Sequence, residues 1–176
     1  PMRTYKIAVV VGSLRKDSLN RKLATGLARL APAEFSFEQL RIDDLPLYNQ
    51  DEDGQPAESV TRLKGSVVAA DGVIFVTPEY NRSMPGVLKN ALDQAYKEWN
   101  RKPIAAIGYG ALGAARAVEH LRLIGVELQM VPVRNAVHIG GGDFFNVHPL
   151  GANAPIEDIE ANLLPAATAT LDDVVW

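Results

Sequence analysis

The chain has no cysteine. That absence removes disulfides, thiol nucleophiles and thiolate metal sites together, and it fits a cytoplasmic setting. Histidine is scarce, at three residues, and no spaced carboxylate pair accompanies it, so no metal site is expected. A basic excess is missing as well: the formal net charge is -3, whereas a nucleic-acid partner normally shows as a strong positive balance. No apolar run reaches the length of a membrane-spanning helix, and no signal-like apolar core opens the chain, so no membrane partner is expected. There is no internal repeat and no low-complexity tract. What is present is an ordinary globular composition, 47% hydrophobic and 22% charged, in 176 residues. That length suits a single domain over 1–176 with a sizeable core.

Short β-rich runs alternate with longer helical ones. YKIAVVV (5–11), FSFEQLRI (35–42), DGVIFVT (71–77), PIAAIGY (103–109) and LQMVPV (128–133) read as strands. Helices are predicted over 18–30, 59–70, 84–99 and 114–125, with a terminal helix from about Ile156 that Pro165 bends or restarts. The stretch 43–58 reads as a long acidic loop. Five strand–helix alternations imply an α/β fold, a parallel sheet with helices on both faces. The Rossmann and flavodoxin-like sheet orders both place ligands at the carboxyl ends of the strands, by the topological switch point. In the five-stranded flavodoxin-like order 2-1-3-4-5, that crevice lies between the first and third strands. The loops 12–18 and 77–85 then carry the site.

The first loop, GSLRKDS, leads into a helix starting near Ser18. Helix N-termini carry partial positive charge and favour acids, yet Arg15, Lys16, Arg21 and Lys22 surround this one and only Asp17 opposes them. Arg21 also stands where a capping box would place an acid. Either the loop is a basic surface turn, or a bound phosphate supplies the missing anion. It is neither a P-loop nor a three-glycine dinucleotide fingerprint. The second loop, TPEYNRSMPG (77–86), sets Glu79, Tyr80, Asn81, Arg82 and Ser83 between Pro78 and Pro85. It reads either as a helix-capping turn or as a stiff edge for a flat heteroaromatic ring.

GSLRKDSLN at 12–20 together with TPEYNRSMPGVLKNALD at 77–93 resembles the NADPH-dependent FMN reductase family, and within it most resembles the bacterial chromate and quinone reductases. The resemblance runs from about residue 5 to 135. It implies a flavodoxin-like three-layer sandwich. It implies FMN as cofactor, with the phosphate held by Ser13, Arg15, Ser18 and Asn20 and with Leu14 close by. The isoalloxazine edge falls to Pro78, Glu79, Tyr80 and Asn81, with Ser83 near them. It implies hydride transfer from NADPH or NADH through FMN N5 to quinones or other acceptors such as chromate, azo compounds or ferric chelates. No side chain is then a catalytic residue, because the chemistry sits on FMN. Family members are commonly homodimers or homotetramers.

GYGALG at 108–113 matches G-x-G-x-x-G after a strand, which taken alone suggests a dinucleotide site. It lies on the fourth strand rather than the first, and the next strand ends at Arg134, which leaves NADP open. The preferred reading makes Gly108, Tyr109 and Gly110 lining for a flavin held by the other two loops. His120 reads as structural or interfacial. Arg116, Glu119 and Arg122 form either a solvated stripe or a subunit contact. Two rival functions stay open at this point: a flavodoxin-type electron carrier, and a flavin-free NADP-dependent dehydrogenase.

Overall fold

The β-branched run YKIAVVV forms the central strand β1 (Tyr5–Val11), which is buried from Ile7 onward. The computed structural model describes residues 3–176. β1 pairs in parallel with β2 (Phe35–Leu40) on one side and β3 (Gly72–Pro78) on the other. β3 in turn pairs with β4 (Pro103–Tyr109). The fifth position is split. β5 (Val131–Pro132) pairs with the start of β4, and β6 (Val137–Ile139) with its end. The order β2-β1-β3-β4-β5 is the predicted one, with β6 added beside β4.

The strand expected over 128–133 is shorter for two reasons. Gln129 takes a left-handed φ of 54°, which interrupts extension. Pro132 has no N–H to give to the ladder. The chain then leaves the sheet and re-enters at Val137.

Side chains alternate across the sheet. Ala8, Val10, Val73, Phe75, Ile104 and Ala106 face a cluster with α2 (Glu58–Ala69), α3 (Gly86–Asp93) and α4 (Ala115–Glu127). Ile7, Val9, Ile74, Val76, Ile107 and Tyr109 face the other cluster, with α1 (Leu19–Leu30), α5 (Gly141–Val147) and α6 (Glu157–Val175). Three layers result, with β1, β3 and β4 carrying core residues on both faces. Burial of each large side chain contributes about 1.5–3 kcal/mol, so both faces anchor the carboxyl ends of β1, β3 and β4.

Two helix expectations need correction. The helix predicted over 84–99 ends at Asp93, and a separate 3-10 turn covers Lys97–Trp99. The fully buried Trp99 drives this: its Nε1 donates to Leu92 O at 3.1 Å and its ring sits 6.0 Å from Phe75. At the chain's end, α6 runs through Pro165 as one helix, so of the expected bend or restart the restart does not occur. Proline in a helix interior costs about 3 kcal/mol, and four apolar residues packed on the sheet, Ile159, Ala167, Leu171 and Val174, offset it.

Candidate functional site

The carboxyl ends of β1, β3 and β4 border a cleft of about 230 Å³. From the first loop, Ser13, Arg15, Ser18 and Asn20 line it. Ser18 takes the N-cap position of α1, with φ -63° and ψ 121°, but its side chain caps nothing, and the first turn holds no acid. The helix start thus has no side-chain cap and no acid to offset its positive end. A tight turn, Ser18 N to Arg15 O at 3.2 Å, lifts Arg15 to the exposed rim.

Pro78, Glu79 and Tyr80 line the cleft from the second loop. The loop closes on itself as a two-residue hairpin. Tyr80 N donates to Ser83 O at 2.9 Å, and Ser83 N to Tyr80 O at 3.0 Å. Between them, Asn81 and Arg82 both have positive φ, 49° and 69°. Such conformations cost about 1 kcal/mol or more for non-glycine residues, so the hairpin needs anchors, and α4 supplies two. The Glu79 carboxylate accepts from Arg116 N at 2.9 Å, Ala117 N at 3.1 Å and the Arg116 guanidinium. One turn further along α4, His120 Nδ1 lies 2.7 Å from Ser83 Oγ. The Arg116 guanidinium, helped by the Ala117 N–H, holds the Glu79 carboxyl below the usual carboxylate range against the opposing effect of burial. Glu79 is therefore a brace, with no proton to give near neutral pH.

Tyr109 and Gly110 line the cleft from the end of β4. Four predicted residues lie elsewhere. Leu14 is half exposed and borders a neighbouring cleft of about 200 Å³ with Arg21 and Arg41. Asn81 occupies the hairpin turn. Ser83 faces His120 across a shallow cleft on α4. Gly108 is required by the chain's own packing, since a Cβ there would overlap the carbonyl of Gly113. Gly113, at φ 63°, is pressed against His138. Close packing within the chain thus accounts for two glycines of GYGALG without a dinucleotide. The Arg116–Glu119–Arg122 stripe is likewise occupied internally: Arg116 by Glu79, and Arg122 by Glu119 and the Arg134 carbonyl.

Six lining residues are not among the predicted ones: Asp17, Leu19 and Ala111 within the named loops and, beyond them, Phe144, His148 and Pro149. Phe144 lies on α5, and His148 and Pro149 directly follow it. The aromatic pair Phe144–Phe145 after three glycines was the available signal.

Among the described residues, three buried side-chain polar atoms have no hydrogen-bond partner: Ser18 Oγ, Asn20 Oδ1 and the Tyr109 hydroxyl. All three belong to residues lining this one cleft. An unpaired buried polar group costs about 1–3 kcal/mol, so a cluster of three marks a place shaped for a polar ligand. A larger cavity, about 570 Å³, opens at the opposite, amino ends of the strands by Tyr5, Pro103 and Trp176, and holds none of the three.

The profile of the NADPH-dependent FMN reductase family matches residues 5–143. The chain belongs to that family. A 2-hydroxy-1,4-benzoquinone reductase of Burkholderia sp is 53% identical over 133 residues, covering 72% of this chain and 73% of the relative. A quinone reductase of Pseudomonas putida is 44% identical over 136 residues, 73% of each chain. Among solved structures, FerB, a flavoenzyme NAD(P)H:(acceptor) oxidoreductase of Paracoccus denitrificans, superposes with a TM-score of 0.81 at 36% identity, covering 98% of both chains. The fold is flavodoxin-like, as its sheet order requires. Among the described residues no helix is long and apolar enough to cross a membrane, and no cluster of His, Asp and Glu is placed to hold a metal ion.

Proposed function

We propose that this chain is an FMN-dependent NAD(P)H oxidoreductase that reduces quinones and related small-molecule acceptors. One observation carries the reading: in a chain of this family, the three unpartnered buried polar atoms gather in the cleft at the start of α1. The residues fit the cofactor. A phosphate and a polyol offer both acceptors and donors, which suits two hydroxyls and a side-chain amide that presents O or, turned over, NH2. The relatives' names mention quinones and an azo reductase, so quinones come first among acceptors, with azo compounds, chromate and ferric chelates after them.

FMN, when bound, supplies the hydride chemistry between NAD(P)H and the acceptor. The chain's part is binding and orientation. Ser13, Ser18 and Asn20, with the open N–H groups of α1, hold the phosphate, and Arg15 neutralises it. The Pro78–Tyr80 backbone meets the polar edge of the ring. The hairpin and the Glu79 bonds to α4 fix this segment, so it would meet the ring without rearranging.

We place the protein in the cytoplasm as a homodimer or homotetramer. Leu123 and Val126, one turn apart on α4, are 70% and 68% exposed, an apolar pair that supports a subunit contact there. Leu123→Glu with Val126→Glu should yield monomers in sedimentation; an unchanged assembly removes α4 from the interface. The function itself is tested by NAD(P)H oxidation with a quinone by FMN-loaded protein. Acceptor-dependent turnover is expected, and its absence contradicts the reading.

A further inference from the structure

We propose that residues 144–149, beyond the 5–143 family match, complete the phosphate end of the flavin site, with the Tyr109 hydroxyl and His148 Nε2–H as two further donors to the phosphate monoester. The inference rests on the flavin reading above and adds a wall to the site from outside the family core.

The wall is an aromatic stack. Tyr109 lies 4.9 Å from Phe144 and 6.4 Å from His148, ring centre to ring centre, and Phe144 lies 4.8 Å from His148. Tyr109 comes from the sheet, whereas Phe144 comes from α5 and His148 directly follows it. All three rings line the same cleft as Arg15, Ser18 and Asn20.

The segment is held firmly enough to present a donor. Gly151 N donates to His148 O at 2.8 Å, Ala152 N to Phe145 O at 3.0 Å and Ala154 N to Asn146 O at 2.8 Å. The backbone also selects the imidazole tautomer. Leu150 N donates to His148 Nδ1 at 3.1 Å, so Nδ1 is the acceptor and the ring proton sits on Nε2.

Tyr109 supplies the second donor. The residue is 7% exposed and its hydroxyl has no partner. Burial raises its pKa to about 12, with Arg15 pulling the other way, so the phenol keeps its proton. The hydroxyl residues Ser13, Ser18 and Tyr109, one ring N–H and a guanidinium thus share a cleft. Two acids also line it: Asp17, which is exposed, and Glu79, which is committed to Arg116. A group of acceptor oxygens bearing negative charge fits that set of donors.

The test titrates the full-length apoprotein with FMN and, separately, with riboflavin, reading quenching of flavin fluorescence. Tyr109→Phe removes only the unpartnered oxygen, His148→Leu removes the donor, and His148→Gln keeps an N–H near the same place. Tyr109→Phe and His148→Leu should each weaken FMN roughly tenfold, the usual scale for losing one charge-assisted hydrogen bond, while riboflavin affinity stays unchanged. His148→Gln should recover most of the loss. Unchanged FMN affinity in both variants overturns the inference. An equal fall for FMN and riboflavin also overturns it, since that result makes the stack mere packing. Wild-type protein that binds neither flavin overturns the flavin reading itself, a result visible before any variant is made.

Discussion

Glu79→Ala should destabilise the protein far more than an ordinary loop substitution. Helix α4 follows Ala114, a left-handed N-cap residue with φ 55°, and has no side-chain cap of its own and no acid in its first turn. Glu79 supplies the cap from the loop after β3 by accepting from the Arg116 and Ala117 N–H groups. Loss of a helix cap costs about 1 kcal/mol, and loss of the charged hydrogen bonds about 1.5–3 kcal/mol. Arg116, with a side chain 38% exposed, regains water and returns part of this. A net of about 2–3 kcal/mol lowers the melting temperature of a domain this size by about 4–12 °C. Glu79→Gln keeps one acceptor oxygen and should cost about 1 kcal/mol.

The measurement is thermal unfolding of apoprotein followed by circular dichroism, repeated across pH. The folded-state pKa of Glu79 lies below its usual value of 4.5. Its stabilising contribution is therefore fully present above that value and is lost as pH falls through the lower, folded-state pKa. The gap between wild type and Glu79→Gln should narrow only below about pH 4.5. An unchanged melting temperature for Glu79→Ala at neutral pH would refute the bracing role, as would a gap that closes already near pH 7.

Arg15→Ala should weaken FMN binding roughly tenfold or more, while hydride transfer in flavin-saturated enzyme changes little; equal losses in both would detach Arg15 from the phosphate. Ser18→Ala should leave the apoprotein as stable or slightly more so, because Ser18 Oγ has no partner there, yet weaken FMN by about 1 kcal/mol or more; calorimetry with and without FMN separates the two effects. Gly108→Ala should destabilise by roughly 3 kcal/mol or more, since the new methyl overlaps the Gly113 carbonyl. Gly65→Ala, exposed on α2 with nothing within 4 Å of the new carbon, should stabilise by about 0.5–1 kcal/mol in denaturant unfolding.

The central sheet was legible because β1, β3 and β4 are buried on both faces, which forces short, continuous, β-branched runs. The parts that escaped lack such a signature. β6 is three residues long, VHI, too short for any period to show. α5 opens on glycines, whose weak helix preference reads as loop, and it is held by tertiary contacts of Phe144 and Val147. Phe144 and His148 were missed with it. At the site, the misplaced charges around Ser18 pointed to an anion because a helix start without an acid is a local anomaly, visible without the fold. The destinations of Asn81, Ser83 and Gly108 depend on α4 and on Gly113, partners set by packing between distant segments and invisible to motif spacing.

The most direct test mixes FMN-loaded protein with NAD(P)H in the absence of oxygen, then adds a quinone, while the visible flavin band is followed. The account predicts that the band bleaches with the nucleotide and returns with the quinone. A protein that takes up no FMN, or whose bound FMN stays oxidised in the presence of NAD(P)H, contradicts it.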